Sequence, residues 1–397
     1  MGIQALIDTQ VLTVTGSTGD VMTVQADGSY LAEAPAGGGV GGSSGAVDNA
    51  VLRADGTGGA TLQTSAFTIA DLATASPNNT VNNVSMAATG GTTNVSVSIV
   101  PKGTGSFSLQ VPDGTTAGGN ARGAYAVDLQ TVRSAAAEVA SGYGSIVAGN
   151  QCKAPGSRAV AIGLFNTASG DFSFAANYAS TASGTGSTAF GGSSCAGAQS
   201  ITVGNLTTAA GAQSIGVGYQ CFASGNQSQA FGYISAAAGQ YSMAHGLGAG
   251  SNRLAMYSHS AGSFVANGDA QSARFVLRIK TTDATATTLM LDGATTRLTI
   301  PSGKIMFADI LISGILSTGA SACCYKRKVA IKNVGGTTTL VGTVETIGTD
   351  IEDNAACDVA ITADDTNDAL DISVTGIAAE TWRWVAVVEG LEIAYGT

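Results

Sequence analysis

Ser200-Ile201-Thr202-Val203-Gly204 is followed, fourteen residues on, by Ser214-Ile215-Gly216-Val217-Gly218, and this echo decides the fold. The repeat extends both ways, from Ala140 to about Gly250. One glycine series is Gly142, Gly156, Gly170, Gly184, Gly197, Gly211, Gly225 and Gly239. A second is Gly149, Gly163, Asn177, Gly191, Gly204, Gly218, Gly232 and Gly246. Both step by 14, apart from one step of 13 between the fourth and fifth copies. A fixed period of this kind marks stacked, repeated units.

Each copy carries a short strand before the second glycine. Its first position holds Ile146, Val160, Phe174, Thr188, Ile201, Ile215, Gln229 and Met243, and its third holds Ala148, Ile162, Ala176, Phe190, Val203, Val217, Phe231 and His245. The position between is usually Ala or Gly. This is period-two alternation, with one bulky face and one small face. Fourteen residues allow two short strands and two tight turns, and glycine is expected at the turns because it tolerates positive φ. Coils stacked at strand spacing rise ~4.8 Å each, so eight make a rod roughly 40 Å long. One apolar layer inside so thin a coil is marginal for a lone chain, and threefold association is expected to cover the remaining faces.

Composition agrees. The chain has 397 residues, 55 of them Gly, with 11% charged, 6% aromatic and 44% hydrophobic. Ordinary domains carry about 25% charge, while disordered chains combine low hydrophobicity with high net charge; this chain does neither. The net charge of −10 and the single basic run Lys326-Arg327-Lys328 argue against nucleic acid and against an anionic membrane surface. No apolar run reaches the roughly 18 residues of a membrane span, so no membrane insertion is expected. The opening MGIQALIDTQVL lacks the basic and apolar regions of a secretory signal. Cys152, Cys195, Cys221, Cys323, Cys324 and Cys357 follow no metal spacing and read as free thiols of a protein assembled in a reducing cytoplasm.

The expected organisation is an N-terminal attachment segment at 1–35, a Gly-rich linker at 36–45, a β-rich shaft at 46–126, a short helical segment at 127–139, the repeats at 140–250, a connector at 251–274 and a C-terminal β-domain at 275–397. Leu129, Val132, Ala136 and Val139 carry the helical spacing, with Asp128 as a cap. Bulky strand-forming runs after 275, such as Phe275–Ile279 and Trp382–Val387, alternate with turn signals at Asp292-Gly293 and Asn333–Gly336, which argues a jelly-roll-like sandwich.

Ala159-Val160-Ala161-Ile162-Gly163, followed by Ala168-Ser169-Gly170, resembles the left-handed parallel β-roll of YadA-type trimeric adhesin heads. Asn177, Gln229 and His245 depart from that pattern. The flanks, including Val100–Ser106 and Gly118–Gln130, resemble bacteriophage tail fibres, as do Leu298–Pro301 and Trp382–Ala386. These resemblances imply an all-β homotrimeric fibre of the phage tail. Its N-terminal part would attach to a tail or baseplate protein, and its C-terminal part would bind a host surface glycan or outer-membrane receptor. A decoration protein on the capsid and a polysaccharide depolymerase are the rival readings.

Chemistry-bearing patterns are sparse. The two histidines, His245 and His259, have no companions at ligand spacing. Asp171 stands nearly alone in the repeats, whereas glycoside hydrolysis needs paired carboxylates. The chain is therefore expected not to be an enzyme, with no catalytic, metal or cofactor residues. Asp350, Glu352 and Asp353, like Asp364, Asp365 and Asp368, read as solvated turns rather than Ca²⁺ loops. The residues singled out for receptor contact are Tyr325, Lys326, Arg327, Asp353, Asp365, Asn367, Trp382 and Trp384; core packing is the favoured reading of the two tryptophans, and a solvated edge that resists aggregation is the alternative for Tyr325–Lys328.

Overall fold

The computed structural model describes residues 21–24, 30–33, 50–54, 62–72, 83–88, 94 and 96–395. The linker at 36–45 and most of the attachment segment lie outside the described residues. The chain divides into two units, 1–100 and 101–397. In the first, Val21–Val24 pairs antiparallel with Tyr30–Glu33, and Ala50–Ala54, Leu62–Leu72 and Asn83–Ala88 form a three-stranded antiparallel sheet. Among the described residues the chain is all β, with no helix.

The second unit is a β-solenoid running into a C-terminal region. Its long strands, Ile146–Asn150, Val160–Leu164, Phe174–Tyr178, Thr188–Phe190, Ile201–Asn205, Ile215–Tyr219, Gln229–Tyr233, Met243–Leu247 and Tyr257–Ala261, stack in parallel and in strict register, so that Val203 faces Val217 and Val217 faces Phe231. A second parallel sheet of two-residue strands, from Thr167–Ala168 to Gly250–Ser251, forms the opposite wall.

The middle position of each long strand points inward. Ala161, Ala175, Ala189, Thr202, Ala230 and Ala244 are fully buried, as are Ala168, Ala182, Cys195, Ala209, Ala223 and Ala237 of the other wall. There is no room for more: a Cβ at Gly216 would lie 2.8 Å from the Thr207 methyl. The bulky residues at the first and third positions therefore point outward, the reverse of an apolar interior built from the larger side chains. His245 is exposed there, its ring 5.5 Å from that of His259 in the next coil.

The repeat glycines meet a second expectation only in part. The second series, Gly149, Gly163, Gly191, Gly204, Gly218, Gly232 and Gly246, takes positive φ, whereas the glycines of the first series, among them Gly142, Gly211 and Gly239, do not. They are needed because each coil lies directly on the next: a Cβ at Gly211 would fall 2.0 Å from the Gly225 carbonyl oxygen. Further left-handed corners are occupied by residues such as Gln199, Gln213 and Gln227, whose side chains form an amide ladder with bonds of 3.1 and 3.0 Å.

Inside the coils a polar side chain repeatedly donates to a carbonyl eleven residues on. Cys152 to Gly163 (3.2 Å) is one example, and Thr207 to Gly218 (2.9 Å), Cys221 to Gly232 (3.1 Å) and Ser235 to Gly246 (2.8 Å) are three in successive coils. The buried thiols thus stand in for hydroxyls, and burial pushes those of Cys152 and Cys221 up in pKa, keeping them protonated donors. All six cysteines are unbridged.

The expected helix at 127–139 is not formed. Val127–Asp128 is a strand, lying parallel to Ile146–Val147, with Val127 N–H donating to the Ser145 carbonyl at 2.9 Å. Gln130 extends this coil by exchanging side-chain bonds with the Cys152 backbone at 3.0 and 3.1 Å. The buried carboxylate of Asp128 holds Arg122 and Arg133 at 2.8 and 2.9 Å, and Phe107–Ser108 pairs parallel with Val127–Asp128 on its other side. Pairing with an existing coil satisfies the backbone without a helix.

Beyond the last coil, Tyr257–Ala261 pairs antiparallel with Ala270–Thr281. Trp382–Ala394, Lys304–Leu316 and Ala322–Val334 follow, giving an antiparallel sheet continuous with the solenoid wall. A three-stranded sheet of Thr287–Thr288, Ala369–Thr375 and Asp358–Asp364 contributes Ile372, Val374, Val359 and Ile361 to the same buried cluster as Phe275, Leu277, Ile310 and Trp384. The junction is sealed by Arg253 of the last coil, paired with buried Glu392, which also receives Gln271 Nε2 at 2.9 Å and lies 3.6 Å from Lys304.

Candidate functional site

The strands from 270 to 394 alternate strictly, so each of the five singled-out residues that lie on them has a definite side, while Asp353 lies in a bend and Asp365 and Asn367 in a turn. Trp382 and Trp384 point inward, stack at 5.7 Å and are 0% and 1% exposed. The Trp384 Nε1 donates to Thr281 Oγ1 at 3.1 Å. They build the core, and the structure corrects their assignment to receptor contact. Tyr325 is also inward and donates its hydroxyl to Glu352 Oε2 at 2.9 Å, and burial together with this bond pushes its pKa well up. Arg327 is held by Asp350 through bonds of 2.6 and 2.8 Å. Asp353 accepts from the Ala322 N–H at 2.8 Å. Asp365 accepts from the Thr338 N–H, and Asn367 donates to Asp364 Oδ2 at 2.7 Å. These carboxylates are occupied by neighbours, and among the described residues no group of three or more His, Cys, Asp or Glu is placed to hold a metal ion. Lys326 alone of the basic run's first two residues faces outward, on the solvent side of the large sheet.

Two constellations were invisible in the linear sequence. Arg278, Lys280 and Arg383 converge with Gly293, Trp384 and Val385 around a cleft of ≈ 350 Å³. Lys280 lies directly across from Arg383, an arrangement that costs stability without an anion nearby. Among the described residues no carboxylate is within ion-pair distance of these three cations. The register that brings them together joins strands about a hundred residues apart, which no local motif reveals.

The second is a carboxylate pair. Asp364 and Asp371 approach the same Arg297 guanidinium, at 3.2 and 3.6 Å. The Asn367 side chain, with Arg297, holds Asp364 below the usual carboxylate range. Sequence reading placed Asp364 in an acidic turn and gave Asp371 no role; the hairpin between Asp358–Asp364 and Ala369–Thr375 makes them neighbours.

No protein-family model matches the chain, and no curated protein sequence matches it. Solved structures with similarity include the gp49 tailspike of Acinetobacter baumannii bacteriophage Fri1, described as a capsular polysaccharide depolymerase, at 11% identity and a TM-score of 0.20. The similarity covers 62% of this chain and 50% of that one. The Acinetobacter baumannii phage AM24 tailspike follows at 9% identity and 0.22, covering 66% and 55%. The tailspike of Acinetobacter phage vB_ApiP_P1 gives 10% and 0.20, covering 63% and 51%. The matched region thus spans only about half of each of those spikes. The expectation that this chain is not an enzyme is withdrawn, since the Fri1 tailspike among these neighbours is described as a capsular polysaccharide depolymerase.

Proposed function

We propose that this chain is a subunit of a homotrimeric bacteriophage tail spike or fibre that engages polysaccharide on the host surface. The observation that carries the reading is a stacked, fourteen-residue solenoid continuous with a two-sheet C-terminal region, flanked by segments that resemble phage tail fibres. The N-terminal part attaches to the tail or baseplate, the solenoid spaces, and the C-terminal sheets, sandwich-like in arrangement, form the tip. Three tips acting together raise avidity without new contacts. The unpaired cations Arg278, Lys280 and Arg383 favour acidic sugars as the material bound.

A second reading is cleavage of that polysaccharide, favoured by the Asp364–Asp371 pair. Retaining glycosidases use one carboxylic acid and one carboxylate nucleophile beside the sugar linkage, and Asp364, held low, is in the ionised form a nucleophile needs. Purified protein incubated with capsulated cells separates the two. Adsorption without release of reducing ends supports attachment alone. Release of reducing ends that disappears in Asp364→Asn and Asp371→Asn supports cleavage. Absence of both adsorption and release across a panel of capsule types would sink the proposal.

A further inference from the structure

The side chains that the solenoid turns outward form a mainly apolar strip. Ile201 and Ile215 stack in its first row, with Thr188 and Gln229 as polar breaks, and Phe190, Val203, Val217 and Phe231 stack in its second, which ends on His245 and His259. Val203 is 41% exposed and Ile162 40%. The strip does not end with the solenoid. Tyr257 and His259 pair with Arg274 and Ser272, so the outer face of the wall runs on into the outer face of the C-terminal sheet. There Val276, Val387 and Leu311 lie side by side across three strands, with Leu391 and Phe307 two rows nearer the solenoid and a charged row between. Leu311 is 54% exposed and Leu391 56%.

The extent of this face decides what it is for. Four strands of about twelve residues present roughly 19 by 40 Å, and nine solenoid strands three residues wide add about 43 by 10 Å. The whole outer face, charged rows included, is on the order of 1,200 Å², and without the cleft end about 900 Å², still above the roughly 800 Å² per partner of a stable protein interface. One row also carries charge. Arg274, Glu389, Asp309 and Lys328 face one another in order across the sheet, so two acids sit at the centre and a cation at each edge. A second copy shifted sideways brings an edge cation over the acidic centre. An apolar face with this internal charge order fits another copy of itself.

We infer that this continuous outer face, from Ile146 to Leu391, is the surface on which copies of the chain pack. The inference rests on the oligomeric reading above and adds which surface carries it. The cationic cleft at Lys280 and Arg383 lies at the far end of the sheet from the solenoid pairing, leaving it open beyond the buried strip.

The test compares masses by light scattering for the full chain and two single variants, Val203→Glu and Leu311→Glu, with Phe222→Glu as a control on the other solenoid wall. Circular dichroism checks each fold. All three positions are already exposed, so the single chain accommodates the charge. The expected result is an oligomer for the unaltered chain and the control, and at least a tenfold weaker association for both face variants with unchanged spectra. An oligomer that persists in both face variants overturns the inference while leaving the oligomeric reading intact. A monomeric unaltered chain overturns both. Loss of structure in a face variant, with a normal control, would also contradict it, because it would place that residue in the chain's own core.

Discussion

Inward-pointing side chains in the solenoid are Ala175, Ala189, Ala230 and Ala244, whereas in the C-terminal sheets they are Phe275, Leu277, Trp382 and Trp384. The two regions share a sheet and a strict two-residue alternation, yet they place size on opposite sides. A fourteen-residue coil brings its two walls so close that a methyl group fills the gap. The C-terminal region has a second sheet to stand off the first, and large side chains fill the space between. The solenoid consequently gains little apolar burial per residue, since each buried CH₂ contributes only about 0.8 kcal/mol. Its order comes from backbone ladders between coils, and its bulky residues stand on the outer face.

The largest expected effect is at the joint between the regions. Glu392→Ala leaves Arg253 buried without its partner, and a loss of about 4 kcal/mol is expected, read as a fall in the urea midpoint. Burial works to raise the Glu392 carboxyl, but Arg253 and Lys304 hold it below its ordinary value. Its folded pKa is thus depressed, so its contribution is present above the ordinary glutamate range and is lost as the pH falls through the folded value. Acid denaturation of Glu392→Gln should accordingly be shallower below pH ~4.3 than that of the unaltered chain.

Next come two changes of similar cost and opposite kind. Ile310→Ala opens a cavity among the C-terminal side chains and should cost about 3 kcal/mol. Gly211→Ala adds one methyl where the next coil's carbonyl already lies, and should cost about 3 kcal/mol as well. Smaller still, Ala230→Val should cost about 2 kcal/mol by overpacking, and Ala230→Gly about 1 kcal/mol. If enlargement proved harmless in the solenoid, the narrow-coil account would fail. Gln213→Ala, which cuts the exposed amide ladder, should stay within about 0.5 kcal/mol.

The register of the solenoid was legible because each coil repeats the one before, and Val203 and Val217 are spaced at fourteen as surely in sequence as in space. The orientation of the faces was not. Alternation separates two sides without saying which is inside, and only the proximity of the walls, seen at Gly216 and Thr207, settles it. Gly211 was recognised as indispensable but for the wrong reason, since close stacking and positive φ leave the same letter in a sequence. The spacing of Leu129, Val132 and Val139 suits a helix, but the edge of the first coil offers Val127 a ready strand partner. Trp382 and Trp384 announced an important strand, and local sequence alone could not tell a sugar platform from a core. The Arg278–Lys280–Arg383 cleft and the Asp364–Asp371 pair depend on strand register, which is fixed only when the sheets assemble.

A cryo-electron microscopy map of the purified full chain at side-chain resolution tests the central claim most directly. The account predicts copies packed with Val203, Val217 and Leu311 against a neighbouring chain and with the alanine rows enclosed within each coil. A map showing those residues bare to solvent, or turned into their own coil, would contradict it.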